Sequence, residues 1–269
     1  MSATTTSVER IAPRSHRPAP APIPMSRIVG IELRKMFDTR SGFWLMASIG
    51  IASLVATGAV ILWAPDSELT FSTFATAIGF PMAVILPMVA VLSVTSEWTQ
   101  RSGLTTFALV PHRGRVISAK LIGVVAVGIA SMLVAFVVGA FGNVVGTAIT
   151  GVHTTWNISL LDLGLIIVGN ILGMLVGFML GVLIRNSPGA IVSYFVYGFV
   201  APTLFEVLAA HQQWFADLRG WVDFNFAQSA LFNGDVSAHD WAQIGVSGLI
   251  WLVIPLAIGL RLVLRSEVK

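Results

Sequence analysis

The chain contains no cysteine and few charged residues, which make up 11% of it. Without cysteine it can form neither a disulfide nor a thiolate metal site, and it has no thiol nucleophile. A soluble domain carries about 25% charged residues, whereas this chain is 55% hydrophobic. The composition therefore indicates a membrane protein with no room for a large soluble domain.

The signatures of catalysis are also missing. The lysines are Lys35, Lys120 and Lys269, and none follows a glycine, so the chain has no P-loop for ATP. The 5 histidines all lie outside the apolar stretches, and no metal-ligand spacing such as HExxH occurs. Residues 245–248 read Gly-Val-Ser-Gly, but a serine nucleophile there lacks a histidine base on a neighbouring span. We therefore expect no catalytic residues, no metal site and no bound cofactor in this chain.

Six apolar stretches are long enough to cross a bilayer. They cover residues 43–63, 77–95, 121–141, 161–184, 188–209 and 244–264. With both termini inside, every one of the 16 lysines and arginines except Arg219 falls on the inner side. The sequence thus predicts an all-α polytopic membrane protein with six transmembrane helices and cytoplasmic N- and C-termini.

The segments around the spans have distinct compositions. Residues 1–24, rich in proline and arginine, are expected to be a disordered cytoplasmic tail, and 265–269 a cytoplasmic C-terminus. Residues 25–42 mix apolar and charged side chains, which predicts an amphipathic helix on the inner membrane surface; a plain basic linker is the alternative. Its charged residues include Arg27, Glu32, Arg34 and Lys35. The aromatic-rich segment 211–243 predicts short helices at the outer interface.

Glycine recurs every four residues in the fourth span. The row forms a flat ridge that allows another helix to approach closely. Packing within the chain explains such a ridge, and a subunit interface or moving contact is the alternative. The ridge consists of Gly169, Gly173, Gly177 and Gly181.

The only sizeable internal segment between spans covers residues 97–120. Leu104, Phe107 and Ala108 share one helical face, and Pro111 is expected to end that helix. Arg113, Arg115 and Lys120 then precede the third span. This pattern suits docking to a cytoplasmic partner, while a positively charged turn that only sets topology explains it equally well.

The same segment resembles the permease subunits of ABC-2-type transporters. The resemblance rests on Glu97, Gly103, the run Leu109-Val-Pro-His-Arg113 and Lys120 leading into a span. It extends to the amphipathic first helix, the six spans within residues 43–264 and the helices between spans five and six. One departure is that Trp-Thr-Gln-Arg-Ser separates Glu97 from Gly103, a longer interval than is usual in the family.

The resemblance implies a permease that provides a translocation path and couples to a separate cytoplasmic P-loop ATPase, which would bind ATP and Mg²⁺. It also implies a second permease, identical or related, and export across a bacterial inner membrane. Membrane lipid is an expected partner, and nucleic acid is not. The residues it makes candidates for coupling to the ATPase are Glu97, Arg101, Gly103, Leu104, Phe107, Pro111, Arg113, Arg115 and Lys120.

Two other classes of function stay open at this level. A sensor or scaffold subunit would use the same fold and ATPase to signal without moving a substrate. The outside segment, about 33 residues long on this reading, offers a small surface for a dedicated ligand sensor. A membrane enzyme, such as one that modifies lipids, needs a catalytic constellation near the interface, and the sequence shows none.

Overall fold

The computed structural model describes residues 23–99 and 113–265. These residues are almost entirely helical, and they form six helical segments long and apolar enough to cross a membrane. No strand is present in these two ranges; Thr70 and Thr155 form an isolated bridge. The predicted all-α fold with six apolar spans is therefore confirmed. The tail 1–22, the coupling residues 100–112 and the last residues 266–269 lie outside the described part of the chain.

Five helices make up the first two-thirds of the molecule. A surface helix, α1, precedes four long helices that correspond to the first four spans. Their bounds are α1 Met25–Asp38, α2 Arg40–Trp63, α3 Phe71–Thr99, α4 Arg113–Thr150 and α5 Leu160–Ile184.

The fifth and sixth spans are each interrupted by a π-helical turn. The fifth consists of α6 Ser187–Phe195, the turn Val196–Val200 and α7 Ala201–His211. Two short helices follow, α8 Gln213–Val222 and α9 Phe224–Asn233. The sixth span consists of α10 Ala238–Gly248, the turn Leu249–Val253 and α11 Ile254–Arg265.

The spans run antiparallel, which gives the bundle two distinct ends. One end, which we call the basic end, is where Lys35 of α1 lies beside Glu97 at the end of α3. At the opposite end, called the distal end, the backbone N–H of Phe71 at the start of α3 donates to the carbonyl of Thr155, ahead of α5. The short helices α8 and α9 lie at the distal end, where Gly234 is close to Asp162 in the first turn of α5.

Proline explains how the second span is tied to the fifth. Pro87 lies inside α3 and has no N–H, so it cannot donate to the carbonyl of Ala83 four residues earlier. The hydroxyl of Tyr194 in α6 donates to that carbonyl at 2.9 Å. A backbone acceptor left free by proline is thus satisfied by a side chain from another span.

The two π-helical turns also precede prolines. In each turn the last bond spans five residues: Ala201 N–H donates to the carbonyl of Val196, and Ile254 N–H to that of Leu249. The next residue in each case is a proline, Pro202 or Pro255. Because proline has no N–H, it cannot continue the backbone hydrogen bonds of the helix. The wider π-helical turn before it accommodates the missing donor.

The glycine ridge of α5 faces other helices of the same chain. A Cβ at Gly177 would lie 2.6 Å from the carbonyl oxygen of Pro87, and one at Gly181 3.2 Å from Val94. At Gly169 the contact is the ring of Phe232 in α9, at 2.7 Å. Gly173 has more room, because its nearest neighbour is the Tyr194 hydroxyl at 3.8 Å. Close packing of α3 against α5 therefore depends most directly on Gly177.

Several helices begin or end away from the limits of the predicted segments. The surface helix was predicted over residues 25–42, but α1 ends at Asp38 because Thr39 is extended and its hydroxyl accepts from Gly42 N–H, capping α2. The third span was predicted over about 121–141 with a possible continuation, and α4 extends beyond both ends, from Arg113 to Thr150. A Ser237–Asp240 capping box starts α10 within the predicted outside segment 211–243.

Candidate functional site

Four charged side chains meet at the basic end of the bundle. Lys120 of α4 binds Glu32 of α1 at 2.5 Å and Glu97 of α3 at 3.2 Å. Lys35 of α1 binds Glu32 at 2.8 Å and Glu97 at 3.4 Å. We call this set the charge cluster; it joins the surface helix to both helices that flank residues 100–112.

Helical spacing brings Glu32 into the cluster. Ile28, Glu32 and Met36 are four residues apart, so they share one face of α1, and all three are buried. A carboxylate therefore stands in the middle of an otherwise apolar row. The face opposite carries exposed Arg27 and Arg34. The helix is thus fixed by its buried carboxylate as well as by apolar packing.

The cluster is buried and its charges balance. Lys120, Glu32 and Glu97 are 3%, 3% and 5% exposed, and Lys35 is the more accessible member. A charge buried without a partner costs several kcal/mol, so each member depends on the others. Two carboxylates against two ammonium groups leave no net charge.

Lys120 also bonds to the backbone of α3. Its ammonium group donates to Glu32 and to the backbone carbonyl of Ser93, the latter at 3.1 Å, and it forms an ion pair with Glu97 at 3.2 Å. Since Ser93 and Glu97 both belong to α3, the ammonium group fixes the last turns of α3 against the second turn of α4. Movement of either helix end requires these bonds to move together.

Lys35 has a raised pKa, and the two carboxylates are the reason. Partial burial lowers the pKa of Lys35, but the hydrogen bond and charge of Glu32, joined by those of Glu97, outweigh that effect. The ammonium form of Lys35 is therefore favoured beyond its usual pH range.

The remaining predicted coupling residues are only partly described. Arg115 donates to the carbonyl of Ile23, directly ahead of α1, and Arg113 is the first residue of α4. Together with the Lys120–Glu32 ion pair, the Arg115 bond links α1 and the residue ahead of it to the first two turns of α4. The others, which lie outside the described residues, are Arg101, Gly103, Leu104, Phe107 and Pro111.

The fifth span reaches the same end of the bundle. The hydroxyls of Thr95 and Ser187 lie 2.7 Å apart, joining the last turns of α3 to the start of α6. Asn186 caps α6 by accepting from Gly189 N–H at 2.8 Å. The end of α3 is therefore in contact with α1, α4 and the fifth span.

Sequence reasoning named all four members of the charge cluster but did not bring them together. Glu32 and Lys35 were assigned to a helix on the membrane surface, and Glu97 and Lys120 to the internal segment. The available signal was the row Ile28, Glu32 and Met36, because a carboxylate in an apolar row needs a cationic partner from another helix.

Arg219, the one basic residue on the other side of the predicted topology, is compensated locally. It binds buried Asp223 at 3.3 Å and lies 3.9 Å from Glu206. Its guanidinium also stands 4.5 Å from the ring centroid of Phe226. Arg219 therefore remains the one exception to the charge asymmetry.

Within the described ranges, no group of three His, Cys, Asp or Glu side chains could hold a metal ion. In the charge cluster the carboxylates and ammonium groups are paired with one another, which makes it a buried ionic joint. Neither a protein-family model nor a curated protein sequence matches this chain.

Proposed function

We propose that this chain is the permease subunit of an ATP-driven exporter of the ABC-2 type, coupled at its basic end to a separate cytoplasmic ATPase. The observation that carries the proposal is the charge cluster. It fastens α1 to α3 and α4, the two helices that lead into and out of residues 100–112.

Coupling needs a rigid connection between the surface that a partner pushes and the spans that must move. Glu32 and Lys35 belong to the surface helix α1, whereas Glu97 and Lys120 belong to the spanning helices α3 and α4. A force on α1 or on the 100–112 segment is therefore delivered to α3 and α4 together. From α3 it reaches α5 through the Gly177–Pro87 contact and the fifth span through Thr95–Ser187.

The charge distribution supports an orientation with the basic end in the cytoplasm. Lysine and arginine concentrate on the cytoplasmic side of membrane proteins, and Arg27, Arg34 and Arg115 all lie at the basic end. In the proposal ATP and Mg²⁺ bind the P-loop partner, a second permease completes the transporter, and the complex resides in a bacterial inner membrane.

The test of the docking surface is affinity purification from membranes in mild detergent. Arg27→Glu together with Arg34→Glu reverses two exposed charges on α1 without touching the charge cluster. We expect recovery of a P-loop ATPase to fall at least tenfold relative to the wild-type chain. Arg265→Glu, an exposed residue at the same end but on α11, is the matched control and should leave recovery unchanged. Equal recovery with all three chains would remove α1 from the proposed docking surface.

Orientation can be tested directly because the chain has no cysteine. Single cysteines at Ser118 and Ala238, both exposed and at opposite ends, report the side on which each lies. A membrane-impermeant maleimide should label the Ala238 position in intact cells and the Ser118 position only after permeabilisation. The reverse pattern would contradict the proposed orientation.

A further inference from the structure

The two flanks of α1 make different contacts. On one flank, Lys35 binds Glu97 in the last turn of α3, at the basic end of the bundle. On the other, the side chain of Leu33 lies 3.6 Å from the position of a Cβ on Gly123, which is ten residues into α4. Residues two positions apart point to opposite sides of a helix. The first side, the basic-end flank, therefore faces out of the bundle, and the second, the membrane flank, faces the spans.

Each flank exposes one large apolar side chain. Ile31 lies four residues before Lys35 and so belongs to the basic-end flank, while Phe37 lies four residues after Leu33 on the membrane flank. Both side chains belong to residues that are 50% exposed. Lipid of the inner leaflet can cover Phe37, as on the apolar side of an interfacial helix. Ile31 points away from that lipid, so a different surface has to cover it if it is to be buried.

Two arginines stand on either side of Ile31. Arg27 precedes it by four residues and Arg34 follows it by three, so the three side chains form one exposed row. Among residues 23–99 and 113–265, no carboxylate forms an ion pair with either arginine. An apolar centre with charged residues at its edge is the arrangement found in protein–protein interfaces.

Charge decides which surface fits this row. Residues 100–112 of the same chain start and end beside the charge cluster, but they contain Arg101 and neither aspartate nor glutamate. They therefore have no carboxylate to offer the two arginines. Anionic lipid headgroups have the right charge, but they lie toward the membrane flank. A separate protein with carboxylates around an apolar pocket matches both the charge and the direction of the row.

We propose that Ile31 is the anchor by which the ATPase partner binds α1, and that it enters an apolar pocket whose rim carries carboxylates for Arg27 and Arg34. This inference rests on the proposed function and adds to it the chemistry of the partner's docking pocket. A side chain that becomes fully buried at the centre of an interface contributes more to affinity than its neighbours. The charged pairs at the rim set the orientation and the rate of association.

The test compares two truncations that remove equally exposed apolar side chains from the two flanks. Ile31→Ala removes the anchor and Phe37→Ala is the matched control, since alanine preserves the helix in both. Recovery of a P-loop ATPase by affinity purification from membranes should fall about tenfold with Ile31→Ala and stay unchanged with Phe37→Ala. If Ile31→Ala recovers as much ATPase as the wild-type chain, the anchor is wrong and the permease–ATPase complex stands. If the wild-type chain itself recovers none, the proposed function fails and this inference with it.

A second measurement needs no partner. Ile31→Cys and Phe37→Cys each introduce a single thiol into the cysteine-free chain, and each is labelled with a fluorophore in lipid nanodiscs. Nitroxide-labelled lipid should quench the fluorophore at position 37 strongly and that at position 31 weakly, whereas iodide in the buffer should give the opposite order. Equal quenching of both positions by the nitroxide lipid would place Ile31 against the membrane and overturn the proposal.

Discussion

Lys120 and Glu32 are joined by an ion pair of 2.5 Å, although 88 residues separate them in the chain and both are almost fully buried. The pair fixes a helix that precedes all six spans against the start of the third span. Glu97 and Lys35 complete the joint. Because the joint borders residues 100–112 on both sides, the proposed function makes it the element by which a partner at the basic end would move the bundle.

Removing one member of the charge cluster should destabilise the protein strongly. Lys120→Met leaves Glu32 and Glu97 buried with only Lys35 to compensate them, and breaking a buried pair in this way costs about 3–5 kcal/mol. Adding Glu32→Gln restores the balance of charge, so the double variant should lose less stability than Lys120→Met alone. The thermal unfolding midpoint in detergent, followed by tryptophan fluorescence, measures both. Arg265→Gln is the exposed control, and a Lys120→Met midpoint equal to that control would contradict the account.

The glycine ridge gives a matched pair of substitutions. Gly177→Ala places a Cβ 2.6 Å from the Pro87 carbonyl oxygen, and the overpacking should cost about 1–3 kcal/mol. Gly173→Ala meets nothing closer than 3.8 Å and should be neutral or stabilise the helix by up to about 1 kcal/mol. Equal unfolding midpoints for the two variants would show that α3 and α5 do not pack as closely as described.

The bond between Tyr194 and Ala83 can be tested by restoring the donor that proline removes. Tyr194→Phe leaves the Ala83 carbonyl without this donor inside an apolar span, which should cost about 1–3 kcal/mol. Pro87→Ala supplies a backbone N–H to the same carbonyl and keeps a Cβ toward Gly177. Tyr194→Phe should therefore cost markedly less stability in the Pro87→Ala background, as measured by a double-mutant cycle. Equal costs in both backgrounds would show that the hydroxyl does not substitute for the missing donor.

The raised pKa of Lys35 predicts that the folded chain loses stability at high pH. Its pKa is raised above 10.5 in the folded chain, so its ion pairs contribute fully below about pH 10.5 and are lost as the pH rises through the higher folded value. Lys35→Met should lower the unfolding midpoint at pH 8 and flatten its decline above pH 10.5. Arg34→Gln, on the exposed face of α1, is the control. An unchanged slope in Lys35→Met would contradict the assigned ion pairs.

Much of the fold follows from periodicity and length. Six apolar stretches predicted six spanning helices, because a segment of this length has to satisfy its backbone internally as a helix in lipid. The ends were less accurate: α4 runs well beyond the 121–141 prediction, since hydropathy marks the part in lipid and not where the helix stops. The π-helical turns were missed, although Pro202 and Pro255 were the signal for both.

The charge cluster could be predicted only in part. Glu97 and Lys120 were named from the resemblance to ABC-2 permeases, and Glu32 and Lys35 from an amphipathic pattern. Their meeting depends on the rotation of α1 against α3 and α4, which the packing of Ile28 and Met36 decides. Neighbouring positions such as Ile31, which is exposed, would have suited a lipid-facing helix equally well.

The central claim, a permease coupled to a separate ATPase, is tested most directly by native mass spectrometry. The chain is tagged at native expression, extracted in mild detergent and weighed with everything that remains bound. The account predicts a complex of two permeases, identical or related, with two P-loop ATPase subunits. A homogeneous preparation of the chain without any P-loop protein would contradict the account, and ATP-driven transport would be rejected as its function.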